Sequence, residues 1–226
     1  MFGLDRHCVE PSKAETATTV YLARHGRSEW NHQNRVTGQL DPGLSDVGRL
    51  QSRMLAQCLS GAAPAAIYAS ALRRTIDTAR PVAALHGLPV QPVAALNEIC
   101  MGALQGRYRD SRDAAAEAAW QRWQADPWTR PTADAESLAD VADRACAWLV
   151  DALARHDGQT FLIVGHRATN SVLLGRLLGL PRSAWPGLGM RNKFCYRIVL
   201  GGPERVISTF QLSGDKAGTC RAGLFM

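Results

Sequence analysis

Two apolar, β-rich runs in this sequence each lead into a histidine. Residues 20–23 precede Arg24 and His25, and residues 160–164 precede His166. Uninterrupted apolar runs of this length are typical of strands buried on both faces of a parallel sheet. Because the carboxyl ends of parallel strands meet at one edge of the sheet, we expect both imidazoles to lie in one crevice.

Strand and helix patterns alternate between these two runs. An amphipathic helix pattern follows Ser45, which can cap it, and a short strand is predicted at residues 66–69. Ser70 is predicted to cap the next helix, which carries Arg74 and which Pro81 should kink or end. This alternation predicts an α/β fold.

The second half of the chain continues the pattern. Residues 111–156 are predicted to be helical apart from a break at residues 126–127, and Ser137 with Asp140 forms a helix-capping signal. The remaining strands are predicted to begin at residue 88 and to cover residues 194–200 and 205–212. The sequence therefore predicts a three-layer α/β/α sandwich with a mainly parallel sheet and a helical cap insertion.

The chain length favours one elaborated domain rather than two. We predict a flexible leader over residues 1–18 and one domain over residues 19–212, with its helical cap at about residues 103–156. Residues 213–226 are weakly patterned and are expected to form a loose tail.

The charge balance suits an anionic partner. The 226 residues carry a net charge of +6, which fits a phosphate ester, a nucleic acid, a membrane, or only an arginine-rich solvated surface. The six cysteines are dispersed, so we expect reduced thiols and neither a disulfide framework nor a metal site. With no signal peptide pattern and no run of transmembrane length, a cytoplasmic protein is predicted.

The expected crevice suits phosphate chemistry. Arg24, Arg74 and two histidines would trap a dianion, because guanidinium donors match phosphate oxygens. His25 could attack the phosphorus to give a phosphohistidine that water later hydrolyses, while His166 stabilises the transferring oxygens. Glu98 is the natural acid for the leaving oxygen, protonated before transfer by burial or by the approaching phosphate.

Five motifs then indicate a known family. They are Arg24-His25-Gly26 followed by Glu29-Trp30-Asn31, the loop 34–38, the run 70–79, the segment 96–99 with Gly102 and Gly106, and Val164-Gly165-His166. In this order they resemble the histidine phosphatase superfamily, in its phosphoglycerate mutase-like branch. The resemblance covers about residues 19–200.

The resemblance implies a metal-independent phosphotransfer enzyme that needs no cofactor. It implies His25 as the nucleophile and Glu98 as the acid. The phosphate pocket that it implies consists of Arg24, Asn31, Arg74 and His166, and Thr37 and Gly38 belong to the implied substrate loop. Its partner would be a small phosphorylated metabolite, with no nucleic acid and no membrane, and a homodimer is a possible assembly.

Three positions depart from the family pattern. Arg27 stands where many members carry an acidic residue, and Arg167 follows the second histidine where glycine is common. Both could add charge for a polyanionic substrate, or could point into solvent. Gln105 replaces a frequent glutamate, which leaves Glu98 as the candidate acid.

Three functions stay open, and hydrolysis is favoured. The longer helical insertion of the mutases is not apparent between Glu98 and His166, although residues 102–106 look mutase-like. A phosphoglycerate mutase-type phosphotransferase is therefore the second reading. The third is a non-catalytic basic module, supported by the charge and by Trp120, Trp123 and Trp128. For these tryptophans, packing between helices is favoured over stacking on a ligand.

Overall fold

The computed structural model describes residues 17–201 and 205–224. Its strands are β1 (Thr18–Arg24), β2 (Ala66–Ser70), β3 (Val90–Val93), β4 (Thr160–Gly165), β5 (Phe194–Leu200), β6 (Val206–Gln211) and β7 (Cys220–Ala222). Within the described residues they form one sheet in the order β3-β2-β4-β1-β5-β6-β7. Strands β3, β2, β4 and β1 run parallel, and β5 to β7 extend the sheet in antiparallel fashion.

Helices cover both faces of this sheet. They are α1 (Glu29–Gln33), α2 (Asp46–Cys58), α3 (Arg73–His86), α4 (Ala114–Ala125), α5 (Leu138–Arg155) and α6 (Arg167–Leu178), with short 3-10 helices at Ala94–Leu96, Gly102–Leu104 and Arg182–Gly187. Not one helix in the described ranges is long and apolar enough to cross a membrane.

Alternate side chains of β1 serve two different cores. Tyr21 belongs to the core formed with α2 and α3, which includes Leu55. Leu22 belongs to the core formed with α5 and α6, which includes Leu149 and Leu173. Burial on both faces explains the uninterrupted apolar run. The predicted three-layer α/β sandwich is confirmed.

A third core joins the cap to the sandwich. Trp123 of α4 packs in one cluster with Val141 of α5 and Val172 of α6. The predicted packing role of this tryptophan is confirmed, since it is buried there. Helix α4 is therefore attached to the sandwich through α5 and α6.

The predictions that Ser70 caps α3 and that Pro81 ends it are wrong. Ser70 is the last residue of β2, and Leu72 occupies the cap position of the helix. The helix continues past Pro81 to His86. A proline removes the N–H that would bind the carbonyl of Asp77, four residues earlier. The hydroxyl of Ser52, from outside the helix, lies 3.2 Å from that carbonyl oxygen and 2.9 Å from the carbonyl oxygen of Thr78, and the two share its single proton.

Other boundaries also differ from the prediction. The break inside the long helical stretch extends over residues 126–137, and α5 begins at the predicted capping box of Ser137 and Asp140. The prediction of a loose tail over residues 213–226 is wrong for Cys220–Ala222, because these residues pair with β6 as an added strand. Of the leader predicted over residues 1–18, residues 1–16 lie outside the described residues, and Thr18 already belongs to β1.

Candidate active site

The carboxyl ends of β1, β2 and β4 meet at one place, as predicted. His25 follows β1 and donates its backbone N–H to the carbonyl of Gly165 at 2.9 Å. His166 follows β4, and Ser70 ends β2. The two imidazole rings lie with their centroids 5.2 Å apart. Residues far apart in sequence thus form one site because parallel strands share an edge.

The imidazole of His25 is held in a defined orientation. Its Nδ1 lies 2.7 Å from the carbonyl oxygen of Gly26. Because a carbonyl only accepts hydrogen bonds, Nδ1 carries the proton and Nε2 keeps its lone pair. Burial, and then the charges of Arg24 and Arg74, hold the pKa of His25 well below its usual value. The neutral ring is therefore the dominant form at neutral pH.

His166 is also neutral and fully buried. Its Nε2 lies 2.7 Å from Ser70 Oγ, and its Nδ1 lies 3.2 Å from Nη2 of Arg74. A guanidinium only donates, so Nδ1 accepts and Nε2 carries the proton. Burial, followed by the charges of Arg74 and His25, keeps the pKa of His166 well below its usual value. Ser70 thus positions an imidazole instead of capping a helix.

Arg74 joins the site to the neighbouring loop. The residue is only 1% exposed, and it donates from Nη1 to the carbonyl of Leu40 at 2.6 Å and from Nη2 to the carbonyl of Gly38 at 2.8 Å. Asp41 Oδ1 lies 3.3 Å from Nη1. Burial lowers the pKa of Arg74, and Glu98 and Asp41 oppose that shift.

Arg24 completes the cationic floor of the site. Its Nη1 donates to the carbonyl of Met190 at 3.0 Å. Burial lowers its pKa to about 10, with Glu98 opposing and Arg167 the first of the arginines that add to the shift. The buried Nε atoms of Arg24 and Arg74 have no hydrogen-bond partner in residues 17–201 and 205–224. Unpaired buried donors are costly, so both side chains are held in place at some cost in stability.

Glu98 caps the start of α6. Its Oε1 accepts the backbone N–H of Ile99 at 3.1 Å and of Ala168 at 3.2 Å, and its Oε2 accepts that of Arg167 at 3.1 Å. Two of these donors lie at the N-terminus of α6 and the third belongs to the neighbouring Ile99, so the carboxylate is held where the helix begins.

The loop with Thr37 and Gly38 is fixed by Gln105. The side-chain oxygen of Gln105 accepts the backbone N–H of Gln39 at 2.7 Å. A Cβ on Gly38, whose φ is +51°, would lie 2.2 Å from that same oxygen. Gln105, which stands where the family frequently has a glutamate, thus anchors the loop. Asn31 also lines the cavity, and its Oδ1 accepts the backbone N–H of Ser28 at 3.0 Å.

Sequence reasoning missed Arg144, which holds the turn that carries Glu98. Arg144 donates to the carbonyl oxygens of Ala95 at 2.7 Å and Asn97 at 2.9 Å. It also pairs in bidentate fashion with Glu136, through Nε at 2.8 Å and Nη2 at 3.0 Å. The available signal was Glu136 beside the capping serine, with an arginine on the following helix.

These residues surround a cavity of about 480 Å³. Six arginines line it, at positions 24, 27, 35, 74, 109 and 167, whereas Glu98 is the single carboxylate among its described lining residues. Apolar side chains line it too, among them Met101 and, from the cap, Trp120. His166 lies behind the lining. Within the described part of the chain, no three His, Cys, Asp or Glu side chains are grouped to hold a metal ion.

The chain matches known proteins over most of its length. The model of the histidine phosphatase superfamily (branch 1) matches residues 20–212. A glucosyl-3-phosphoglycerate phosphatase of Mycolicibacterium vanbaalenii is 35% identical, over 75% of this chain and 78% of the relative. A phosphoserine phosphatase 1 of Hydrogenobacter thermophilus is 34% identical, over 91% and 95%.

Two further similarities bear on function and fold. A probable phosphoglycerate mutase GpmB of Enterobacter sp. is 34% identical, over 79% of this chain and 83% of the relative. The solved structure of a mycobacterial glucosyl-3-phosphoglycerate phosphatase with VO3 has a TM-score of 0.73 and 30% identity, covering 92% of this chain and 98% of that one. Phosphatases and a mutase thus share this sequence pattern.

Proposed function

Because the chain belongs to the histidine phosphatase superfamily, branch 1, we propose that it hydrolyses a small phosphate monoester through a phosphohistidine on His25. Membership makes it an enzyme of the phosphatase and phosphoglycerate mutase-like kind. One observation carries the proposal: the bond from His25 Nδ1 to Gly26 leaves the Nε2 lone pair free, in a cavity that Arg24 and the buried Arg74 also line.

In the first step, Nε2 of His25 attacks the phosphorus. An N–P bond forms, and the bond from phosphorus to the ester oxygen breaks. Arg24 and Arg74 stabilise the charge on the three equatorial oxygens. His166 can donate to one of them only after Nδ1 takes up a proton and releases Arg74. The arriving dianion favours that protonation.

Glu98 acts as the proton donor in this scheme. It takes up a proton as the dianion binds, and gives it to the leaving oxygen, so that an alcohol departs. In the second step, a water oxygen attacks the phosphorus and its proton passes to the Glu98 carboxylate. The N–P bond breaks, inorganic phosphate leaves, and neutral His25 is restored.

Hydrolysis is favoured over mutase activity because two phosphatase relatives match this chain over most of their length. The segment between Glu98 and His166 contains the 3-10 helix Gly102–Leu104 and the helices α4 and α5. Mutase activity stays the second candidate, because the GpmB relative is similar over most of its length. The non-catalytic module is set aside by family membership. A cytoplasmic location and a homodimer remain predictions.

Turnover of p-nitrophenyl phosphate in excess EDTA tests the proposal. We expect phosphate release by the native chain and its loss in His25→Ala, with retention in Arg122→Gln, which alters an exposed arginine of α4. Base-stable, acid-labile phosphate bound to the protein should appear in quenched reactions and be missing in His25→Ala. No release from any ester tested would contradict the proposal.

The mutase alternative has a separate test. Phosphoglycerate is supplied, and isomer formation and free phosphate are both measured, with and without a bisphosphorylated glycerate. We expect phosphate release without isomerisation. Isomerisation with little release, stimulated by the bisphosphate, would establish the second candidate instead.

A further inference from the structure

We propose that Gln51 and Thr78 are positioning residues for the nucleophile. They hold the two peptide groups on either side of Gly26, and through them the tautomer and the direction of the His25 imidazole. The inference rests on the proposed function, because it concerns how His25 is kept ready to attack phosphorus. Both side chains lie outside the lining of the cavity, so they would act through the backbone and not on the substrate.

The peptide between Gly26 and Arg27 sets the position of the proton on His25. Its carbonyl oxygen lies 2.7 Å from His25 Nδ1, and its N–H donates to Gln51 Oε1 at 2.8 Å. Gln51 belongs to α2 and is 4% exposed, and its Nε2 donates to Ser213 Oγ at 3.0 Å. Because a backbone N–H only donates, the oxygen of the Gln51 amide has to face Arg27.

Rotation of this peptide would exchange its two polar groups. The N–H of Arg27 would then point toward His25 Nδ1, and Nδ1 would have to accept that bond while its own proton moved to Nε2. In that tautomer Nε2 has no lone pair with which to attack phosphorus. Gln51 disfavours the rotation, because the rotated carbonyl would meet the oxygen of the Gln51 amide and both groups only accept hydrogen bonds.

Thr78 holds the peptide on the other side of Gly26. The backbone N–H of Gly26 donates to Thr78 Oγ1 at 2.9 Å, and the Thr78 hydroxyl donates to the carbonyl of Arg74 at 2.7 Å. Thr78 is 1% exposed and lies one turn after Arg74 on α3. A single hydroxyl therefore joins the turn that follows the nucleophile to the helix that carries Arg74.

Close backbone packing makes these contacts possible. A Cβ on Gly26 would lie 2.5 Å from the carbonyl oxygen of Gly48, and a Cβ on Gly48 would lie 2.1 Å from that of Arg27. Helix α2 thus touches the turn directly, with Gln51 one turn further along. Ser45 donates to the carbonyl of Arg27 from its N–H and from its hydroxyl, both at 2.9 Å. Both N–H groups and both carbonyls of Gly26 and Arg27 therefore have a fixed partner.

Variants of similar shape remove the two acceptors one at a time. Thr78→Val and Gln51→Met should each slow the formation of phosphohistidine from p-nitrophenyl phosphate by about 10- to 100-fold in quenched single turnovers, because the nucleophile is misdirected. Binding of inorganic phosphate, measured by calorimetry, should change by less than about threefold, since the arginines stay in place. Thr78→Ser and Gln51→Glu keep an oxygen toward the same N–H groups and should restore the rate to within about fivefold of the native value.

A matched control removes the same kind of hydrogen bond at the opposite end of β1. Thr18 Oγ1 accepts the backbone N–H of Gly158 at 2.8 Å, and Thr18 is 7% exposed. Thr18→Val should lower the midpoint of urea unfolding about as much as Thr78→Val does, and should leave the rate of phosphohistidine formation within about twofold of native. Equal slowing by Thr18→Val and Thr78→Val would assign the loss to stability and overturn the positioning role.

Nitrogen NMR on histidine-labelled chain measures the tautomer without turnover. The His25 signal is assigned by its absence from His25→Ala. We expect the native chain to hold the proton on Nδ1, and Thr78→Val and Gln51→Met to move part of the population to Nε2. A chain that hydrolyses no ester but shows this change would refute the proposed function and keep the positioning role. Turnover with an unchanged tautomer in both variants would refute the positioning role alone.

Discussion

Replacing Arg144 by methionine should cost stability and weaken catalysis of one class of esters. The side chain binds the carbonyl oxygens of Ala95 and Asn97 and pairs with Glu136. Arg144 and Glu136 are 22% and 24% exposed, so water can reach the broken contacts in part. Exposed pairs contribute about 0–1 kcal/mol, and breaking a buried pair costs about 3–5 kcal/mol. We therefore expect a loss of about 2–3 kcal/mol.

Urea unfolding measures this loss directly. The midpoint should fall while the slope stays constant, and the melting temperature should drop by about 4–10 °C for a chain of this size. A double-mutant cycle with Glu136→Gln should give a coupling energy of at least about 1 kcal/mol, because the two residues share one network. Arg80→Met, which breaks an exposed pair with Asp77, should cost less than about 1 kcal/mol.

The ratio of the rates for two classes of ester gives a second measurement, which a loss of stability alone would not change. Loosening the turn that carries Glu98 should slow alkyl phosphates, which need a protonated leaving group, more than p-nitrophenyl phosphate, which does not. A loss of unfolding free energy below about 1 kcal/mol would refute the stability argument. Equal slowing of both esters would refute the positioning of Glu98 by Arg144.

Three further predictions concern the site. Glu98→Gln should slow alkyl phosphates by about 10²-fold or more relative to p-nitrophenyl phosphate. Because the pKa values of His25 and His166 are lowered in the folded chain, the unfolded chain binds more protons below about pH 6.5. The free energy of unfolding should therefore fall as the pH is lowered below about 6.5. The limiting slope is about 1.4 kcal/mol per pH unit for each imidazole. Gly38→Ala should lower kcat/KM at least about tenfold, since its Cβ would clash with Gln105.

Each of these has its own control. Glu98→Gln acting equally on both ester classes would remove its role as the acid. His166→Gln should reduce the slope of stability against pH between about pH 6.5 and 5.5, and an unchanged slope would contradict the buried neutral imidazole. Gly43→Ala, in the same loop but with no atom within 4 Å of the added carbon, should keep its activity.

The parallel part of the sheet could be predicted because its signal is local. Buried apolar runs mark β1, β2 and β4, and topology alone then brings His25 and His166 together. The position of β7 could not be predicted in this way. Its three residues are all exposed, so no apolar pattern marks them, and the pairing with β6 depends on the backbone of a distant strand.

The same distinction between local sequence signals and contacts from distant elements applies to the candidate site. His25, Arg74, Glu98 and His166 stand in recognisable motifs, and the structure brings them together. Arg144 was missed because the contacts by which it holds the Glu98 turn are to backbone carbonyls on another element, and such contacts leave no pattern in the sequence. The behaviour of Pro81 was missed for a similar reason, since the compensating hydroxyl comes from a different helix.

Arg74 has a consequence for how affinity can change in this protein. Its guanidinium holds the carbonyl oxygens of Gly38 and Leu40 while it faces the phosphate position. The order of this loop and the affinity for a ligand are therefore coupled in both directions. An interaction that stabilises one conformation of the loop also raises the affinity for a ligand that prefers that conformation. Substitutions in residues 38–41 that never touch a substrate can therefore tune how tightly it is held.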